Sequence, residues 1–369
     1  MIKYLSISNI KRISFRSDIN GLRAIAVLGV VFFHANFDLF QGGWLGVDIF
    51  FVISGYLISN IIISELIAGK FTFRKFYLRR VRRILPGLFS TLLLTIPFSY
   101  LLLTPKAMIE YTKSLTASIF FYANYYFQNL DFYNAEPTKI MPLLHTWSLA
   151  IEEQFYIIFP LLCFILFKIN KRYFSFILGF VFLFSIYLNS TTAEMVKFYQ
   201  IQYRAWELIL GALVMVLQNK VTFKHIEKLG LGLVFFSMVY FDDSMLTLNS
   251  IEPRLIANIG VASILFSNEK GYVHKFLSSK YLSIIGLSSY SIYLFHQPLF
   301  AYMRIFQRRS SLFEGPYLYL FIFILLFLSS YLNWKYVEIL FQQKSINSLL
   351  KIIFIVLVIM LLFIFLSHD

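Results

Sequence analysis

The sequence predicts an all-α fold, a polytopic integral membrane bundle of about 10–11 transmembrane helices, on three observations. Of its 369 residues, 59% are hydrophobic and only 14% are charged, whereas soluble domains carry about 25% charged residues. Eleven apolar runs follow one another along the chain with short connections. Clusters of Lys and Arg recur in every second connection, the pattern that the positive-inside rule produces.

A water-soluble fold could not hide this much apolar surface, because burial is limited by surface-to-volume scaling. The mean hydropathy of +0.71 says the same. The runs fall at about 21–40, 45–64, 84–103, 148–167, 173–190, 203–218, 229–241, 254–267, 281–303, 316–334 and 350–366. Residues 1–345 are read as one membrane domain of about ten spans, and 346–369 as an additional C-terminal helix. The stretch through Arg16 is polar and basic, and no small-residue cleavage site follows, so the first run is expected to be a retained span rather than a signal peptide.

Orientation follows from the basic connections. Lys3, Lys11, Arg12 and Arg16 precede the first run, and Lys70, Arg74, Lys75, Arg79, Arg80, Arg82 and Arg83 follow the second. Lys168, Lys171 and Arg172 follow the fourth, Lys220, Lys224 and Lys228 the sixth, and Lys270, Lys275 and Lys280 the eighth. All fall on one side if the N-terminus is cytoplasmic. Arg304, Arg308 and Arg309 then fall outside, against the rule, which points either to a miscounted span or to an anionic partner there. The connection from Thr104 to Pro142 is the longest and would be external, with an aromatic segment at Tyr122–Tyr133 suited to the interface.

The net charge of +14 does not point to nucleic acid, since no groove-reading motif accompanies it. The single cysteine, Cys163, allows no intramolecular disulfide and reads as a small buried hydrophobe. No metal site is expected.

Ionisable residues inside a span cost roughly 2.5–3.5 kcal/mol each on insertion scales, so each is a candidate for function. The first run holds Arg23 and His34, eleven residues apart, which puts both on nearly one helix face roughly 16 Å apart along the axis. Arg23, near the cytoplasmic end, suits either an interface anchor or an anion-binding group, and His34, further out, either a hydrogen-bonded packing residue or a general base. Asp48, entering the second run, is read either as orienting His34 or as neutralising an arginine. Ser54-Gly55 suggests close helix packing, and Ser54 lacks the Gly-x-Ser-x-Gly setting of a nucleophile. The segment RKFYLRRVRRILPG fits either topology or an anionic cosubstrate. In PLLHTWSLAIEEQFYIIFP, His145, Trp147, Ser148, Glu152 and Glu153 cluster, and the adjacent carboxylates project about 100° apart. Arg204 with Glu207, and His296, are further polar groups within apolar runs.

Taken together, FRSDINGLRAIAVLGVVFFHA, GGWLGVDIFFVISGYLIS, FYLRRVRRILPG, PLLHTWSLAIEEQFYIIFP, YRAWELILGA and YSIYLFHQP resemble, in order and over nearly the whole chain, the acyltransferase-3 family of bacterial membrane O-acyltransferases. The family pattern of a basic residue, ten residues and a histidine is met by Arg23 and His34. The resemblance implies transfer of an acyl group, usually acetyl, from cytoplasmic acyl-CoA to a glycan hydroxyl outside. By carry-over His34 would be the base or acyl relay, and Arg23, Arg82 and Arg83 would bind the donor or order the site. Trp147 and Glu152 or Glu153 would belong to the periplasmic part, beside Asp48 in the catalytic set and His145, Ser148 and His296 on the acceptor side. Two departures stand out: Phe295-His296-Gln297-Pro298 replaces Trp-His-Trp-Pro, and Tyr336-Val337-Glu338-Ile339-Leu340 replaces Tyr-Val-Glu-Lys-Pro.

The expected activity is O-acetylation of an envelope polysaccharide (lipopolysaccharide O-antigen, capsule or exopolysaccharide) at the bacterial inner membrane, with acetyl-CoA as cosubstrate and no tightly bound cofactor. Many relatives continue into an external esterase-like domain. The sequence ends at Asp369, so direct transfer or handover to a separate periplasmic acyl-accepting protein is expected. A transporter or flippase is the alternative, weakened by the lack of Pro- or Gly-broken spans in corresponding halves. A catalytically inactive scaffold is the third reading, against which the retention of Arg23, His34 and both carboxylates speaks.

Overall fold

The structure, a computed structural model, describes residues 16–130, 137–170, 173–192, 194–218, 225–242, 251–267, 271–309 and 315–367. Lys3, Lys11, Arg12, Lys171, Arg172, Lys220, Lys224, Lys270 and positions 131–133 lie outside them. The described residues form helices and no strand, as the sequence predicts. Seven helices among them are long and apolar enough to cross a membrane. The chain divides into two compact units, one of Met1–Phe73 with Ile151–Leu287 and one of Arg74–Ala150 with Ser288–Asp369.

In the first unit, α1 (Ser17–His34) ends earlier than the first apolar run, which extends to position 40. Asn36 takes a positive φ of 56°, and a 3-10 segment, Asp38–Leu45, leads into α2 (Gly46–Ile67). His34 is therefore the last residue of its helix. The 3-10 segment lies hard against α1, since a Cβ on Gly43 would stand 2.1 Å from the Gly29 carbonyl oxygen. At the other end of α1, Arg16 pairs with Asp18 at 2.6 Å. It also donates to the carbonyls of Leu265 at 2.6 Å and Ile264 at 3.2 Å. Those oxygens close α11 (Ile251–Phe266), whose C-terminal end favours a cation.

The helix α9 (Ile201–Leu217) crosses α2 at very short range. A Cβ on Gly55 would fall 1.8 Å from the Leu208 carbonyl oxygen, and one on Gly211 2.0 Å from that of Val52. Small residues let membrane helices approach in this way, which is the packing that Ser54-Gly55 suggested. Against α9 pack α7 (Phe174–Thr191) and α8 (Glu194–Tyr199), while α10 (Ile226–Tyr240) packs on α11 and the 3-10 segment, and α12 (Tyr272–Leu277) and α13 (Lys280–Leu287) pack on α1. On α7, the side chains of Phe176, Phe180, Leu183, Phe184 and Tyr187 are all exposed at helical spacing, an apolar stripe suited to lipid.

In the second unit, α3 (Phe73–Leu102), α4 (Pro105–Ile119) and α5 (Ala123–Gln128) precede a 3-10 turn at Thr138–Ile140. The helix α6 (Thr146–Ile169) contains the division between the units. The apolar run 281–303 is two helices, α13 and α14 (Ser289–Arg309), parted at Ser288. After α15 (Pro316–Asn333), Trp334–Glu338 adopts a π-turn before α16 (Ile339–Gln343) and α17 (Ile346–Leu366). A ladder of hydroxyls joins three of these helices: Tyr302 shares a bond with Ser99 at 2.6 Å, and Thr95 one with Tyr111 at 2.7 Å. Only 11% of the apolar window of α17 is buried, against 61% for α1, so α17 is the peripheral one of the two.

Candidate functional site

His34 is half-buried at the C-terminal end of α1. Its Nδ1 lies 2.9 Å from the Val30 carbonyl oxygen. A carbonyl only accepts, so a hydrogen bond here places a proton on Nδ1. Arg23, half-buried, stands on the same unbroken helix, so the spacing and common face expected for the pair are kept.

Asp48 is buried, and its partners among the described residues are arginines. Arg204 Nη2 donates to Asp48 Oδ1 at 2.8 Å, and Arg204 also pairs with Glu207 at 2.8 Å. Arg254 Nε lies 3.5 Å from the same Asp48 oxygen. Of the two roles open to Asp48, the geometry supplies the second, neutralisation of arginine. The guanidinium of Arg254 also lies over the rings of Trp44 (5.7 Å) and Phe198 (5.6 Å). Two arginines and two carboxylates thus balance in the interior of the first unit, so that each buried charge faces an opposite one. Arg254 was not singled out from the sequence; the sole signal was an arginine opening the run at 254.

On α6, Tyr156 donates to Glu152 at 2.7 Å, one turn away. Glu152 and Glu153 are both half-buried. Trp147, Ser148 and His145 are buried, at the end of α6 that belongs to the second unit.

In that unit the His145 ring lies 5.4 Å from the His296 ring and 5.5 Å from that of Tyr293. The Tyr293 hydroxyl donates to the His145 carbonyl at 3.0 Å and meets Ser148 Oγ at 2.6 Å. Nδ1 of His296 donates to the Tyr293 carbonyl. Three of the residues expected on the acceptor side, His145, Ser148 and His296, are therefore gathered around one tyrosine. Gln297, the departure from the family's second tryptophan, donates to the Met141 carbonyl at 3.0 Å and so holds the chain just before His145.

Arg82 and Arg83 part company. Arg82 donates to the Lys344 carbonyl at 3.2 Å, while Arg83 pairs with the buried Glu338 at 3.3 Å. Ser291 donates to Glu338, Asn333 to Ser291 at 2.9 Å, and Ser90 to Asn333 at 2.6 Å. Glu338, noted in the sequence only as part of a departing motif, thus anchors one of the two arginines.

A family profile described as an acyltransferase domain matches residues 16–335. Among curated proteins, the chain is 30% identical to the O-acetyltransferase OatA of Staphylococcus aureus (strain NCTC 8325 / PS 47), over 89% of this chain and 58% of that protein. It is also 30% identical to the putative O-acetyltransferase SAS0844 of S. aureus (strain MSSA476), over 95% of this chain and 61% of that protein. The chain therefore spans about three fifths of the length of these relatives. No solved structure matches it.

Proposed function

The chain belongs to the acyltransferase-3 family, and from that premise we propose that it is a membrane O-acetyltransferase moving acetyl from cytoplasmic acetyl-CoA to a sugar hydroxyl of an envelope polysaccharide. The observation that supports the reading is the place of His34: it ends α1 on the same unbroken helix as Arg23, with Nδ1 2.9 Å from the Val30 carbonyl oxygen, an arrangement in which Nε2 would act as the base.

In the proposed reaction, Nε2 takes the proton of the acceptor hydroxyl as its oxygen attacks the thioester carbonyl. The tetrahedral adduct then collapses, the carbon–sulfur bond breaks, and the imidazolium returns the proton to the departing thiolate. Arg23 and the basic segment of α3 supply the positive charge that the phosphates of the donor require. His145, Ser148 and His296 form the acceptor side. The layout is consistent with an N-terminus in the cytoplasm and the inner membrane as the location, since the basic connections then face the side on which acetyl-CoA is found. Names of the relatives support acetyl as the group transferred.

The test is the O-acetyl content of the host's purified surface glycans by NMR, comparing deletion, wild-type and His34→Ala complementation at matched protein level. Signals lost on deletion, restored by wild type and absent with His34→Ala support the reading and identify the acceptor. Unchanged acylation in the deletion sinks the glycan reading in that host.

A further inference from the structure

The second unit contains a cavity of about 210 Å³ outside the residues assigned so far, lined among others by Glu110, Tyr111, Tyr126, Ile140, Arg308 and Arg309. It adjoins a wider cleft of about 430 Å³ that shares Glu110, Tyr126 and Leu130. Ligand pockets for drug-sized molecules run at about 300–1,000 Å³, so the inner cavity suits a single ring with its neighbour in the cleft.

The walls are built rather than loose. Ile140, Tyr302 and Ile305 form a buried cluster with Leu102 and Leu103 packed against it. Tyr302 donates to the Thr95 carbonyl at 3.0 Å, and Arg304 to the Lys139 carbonyl at 3.0 Å. The Tyr126 hydroxyl donates to the Glu110 carbonyl at 3.0 Å, holding α5 over α4. Burial, with the Glu110 charge nearby, pushes that phenol up to about 12, so it remains a neutral hydroxyl at physiological pH. Pro142 lines the same cavity and stands three residues before His145.

Beside aliphatic residues such as Leu102, Ile140 and Ile305, the wall offers groups that a saccharide uses: the rings of Tyr111, Tyr126 and Phe127, the Glu110 carboxylate to accept ring hydroxyls, and hydroxyl-bearing side chains. The exposed Arg308 and Arg309 add a different requirement. They fall on the outer side in the topology proposed above, where the positive-inside rule gives them no reason to be. Arginine forks match the two oxygens of a carboxylate or phosphate.

We propose that this cavity binds a saccharide residue of the acceptor that carries an anionic group, with Arg308 and Arg309 holding the anion and Glu110 its hydroxyls. The proposal rests on the acetyltransferase reading for what the saccharide is used for, and not for its binding. The anion is either a carboxylate on the sugar or the phosphate that links it to a lipid carrier, and the probes below separate them.

The experiment uses the full chain in nanodiscs, with three probes: a glucuronate-containing disaccharide, the same disaccharide with its carboxylate reduced to an alcohol, and a polyprenyl-phosphate-linked disaccharide. Dissociation constants are measured for wild type, Arg308→Ala/Arg309→Ala, Arg308→Lys/Arg309→Lys and Glu110→Gln. Arginine-to-alanine replacement is expected to weaken an anionic probe by about tenfold or more, to leave the reduced disaccharide unchanged, and to be partly rescued by lysine. Glu110→Gln is expected to weaken all three. Selective loss for the glucuronate probe assigns a sugar carboxylate, and selective loss for the polyprenyl probe assigns the linking phosphate. Equal affinities of wild type and the double alanine variant for both anionic probes, or equal losses on neutral and anionic probes, overturn the proposal. Wild-type binding in a protein that transfers no acetyl overturns the acetyltransferase reading and leaves the site standing.

Discussion

Asp48 and Arg204 are joined at 2.8 Å, and each stands seven residues before the glycine, Gly55 or Gly211, at which its helix touches the other. Seven residues are two helical turns, which return a side chain to the same face. The seam that lets α2 and α9 meet therefore also brings the ion pair together. Removing one member of a buried pair costs about 3–5 kcal/mol, because the other charge is left uncompensated. Asp48→Ala is expected to lower the melting temperature of the detergent-solubilised protein clearly, and Asp48→Ala/Arg254→Met to recover part of the loss. A single variant that melts with the wild type would show that the pair contributes nothing.

Glu338 holds Arg83 and takes the Ser291 hydroxyl in a network that reaches Ser90. Glu338→Gln keeps the shape and a hydrogen-bonding oxygen but removes the charge. The expected result is a modest fall in stability and a raised KM for acetyl-CoA, as Arg83 is released. Glu338→Ala should cost more, about 1–3 kcal/mol for the buried groups left unpaired. Steady-state kinetics with varied donor, alongside thermal melts, checks both. A donor KM equal to wild type in Glu338→Gln would separate Arg83 from donor binding.

Gln297→Trp restores the family's residue yet deletes the bond to the Met141 carbonyl and brings in a larger side chain at a buried position. Faster amide exchange in residues 137–145 is expected, together with a raised acceptor KM and an unchanged donor KM. Exchange at the wild-type rate would mean that the segment is held by something other than Gln297.

Much of the fold was legible from the residues. The apolar runs marked the helices, the eleven-residue spacing placed Arg23 and His34 on one face, and Ser54-Gly55 marked a close crossing. The end of α1 at His34 was not legible, because the apolar run continues past Asn36, where only the positive φ ends the helix. The break at Ser288 was hidden for the same reason, since the apolar run continues unchanged across it. Arg254 and Glu338 were missed because a charge at the edge of an apolar run reads as an interface anchor; what marks them is the partner, and partners come from helices far apart in sequence. Asp48 illustrates the converse: the sequence offered two roles, and only packing chose arginine.

The role proposed for His34 is the chemistry of acetyl transfer. Its most direct test is transfer from radiolabelled acetyl-CoA to the acceptor glycan by the purified full chain in proteoliposomes, comparing wild type with His34→Ala at equal folded protein. A general base contributes about 10²–10⁴-fold, and the account predicts a loss of that size in kcat with the donor KM little changed. Transfer by His34→Ala at the wild-type rate would contradict it.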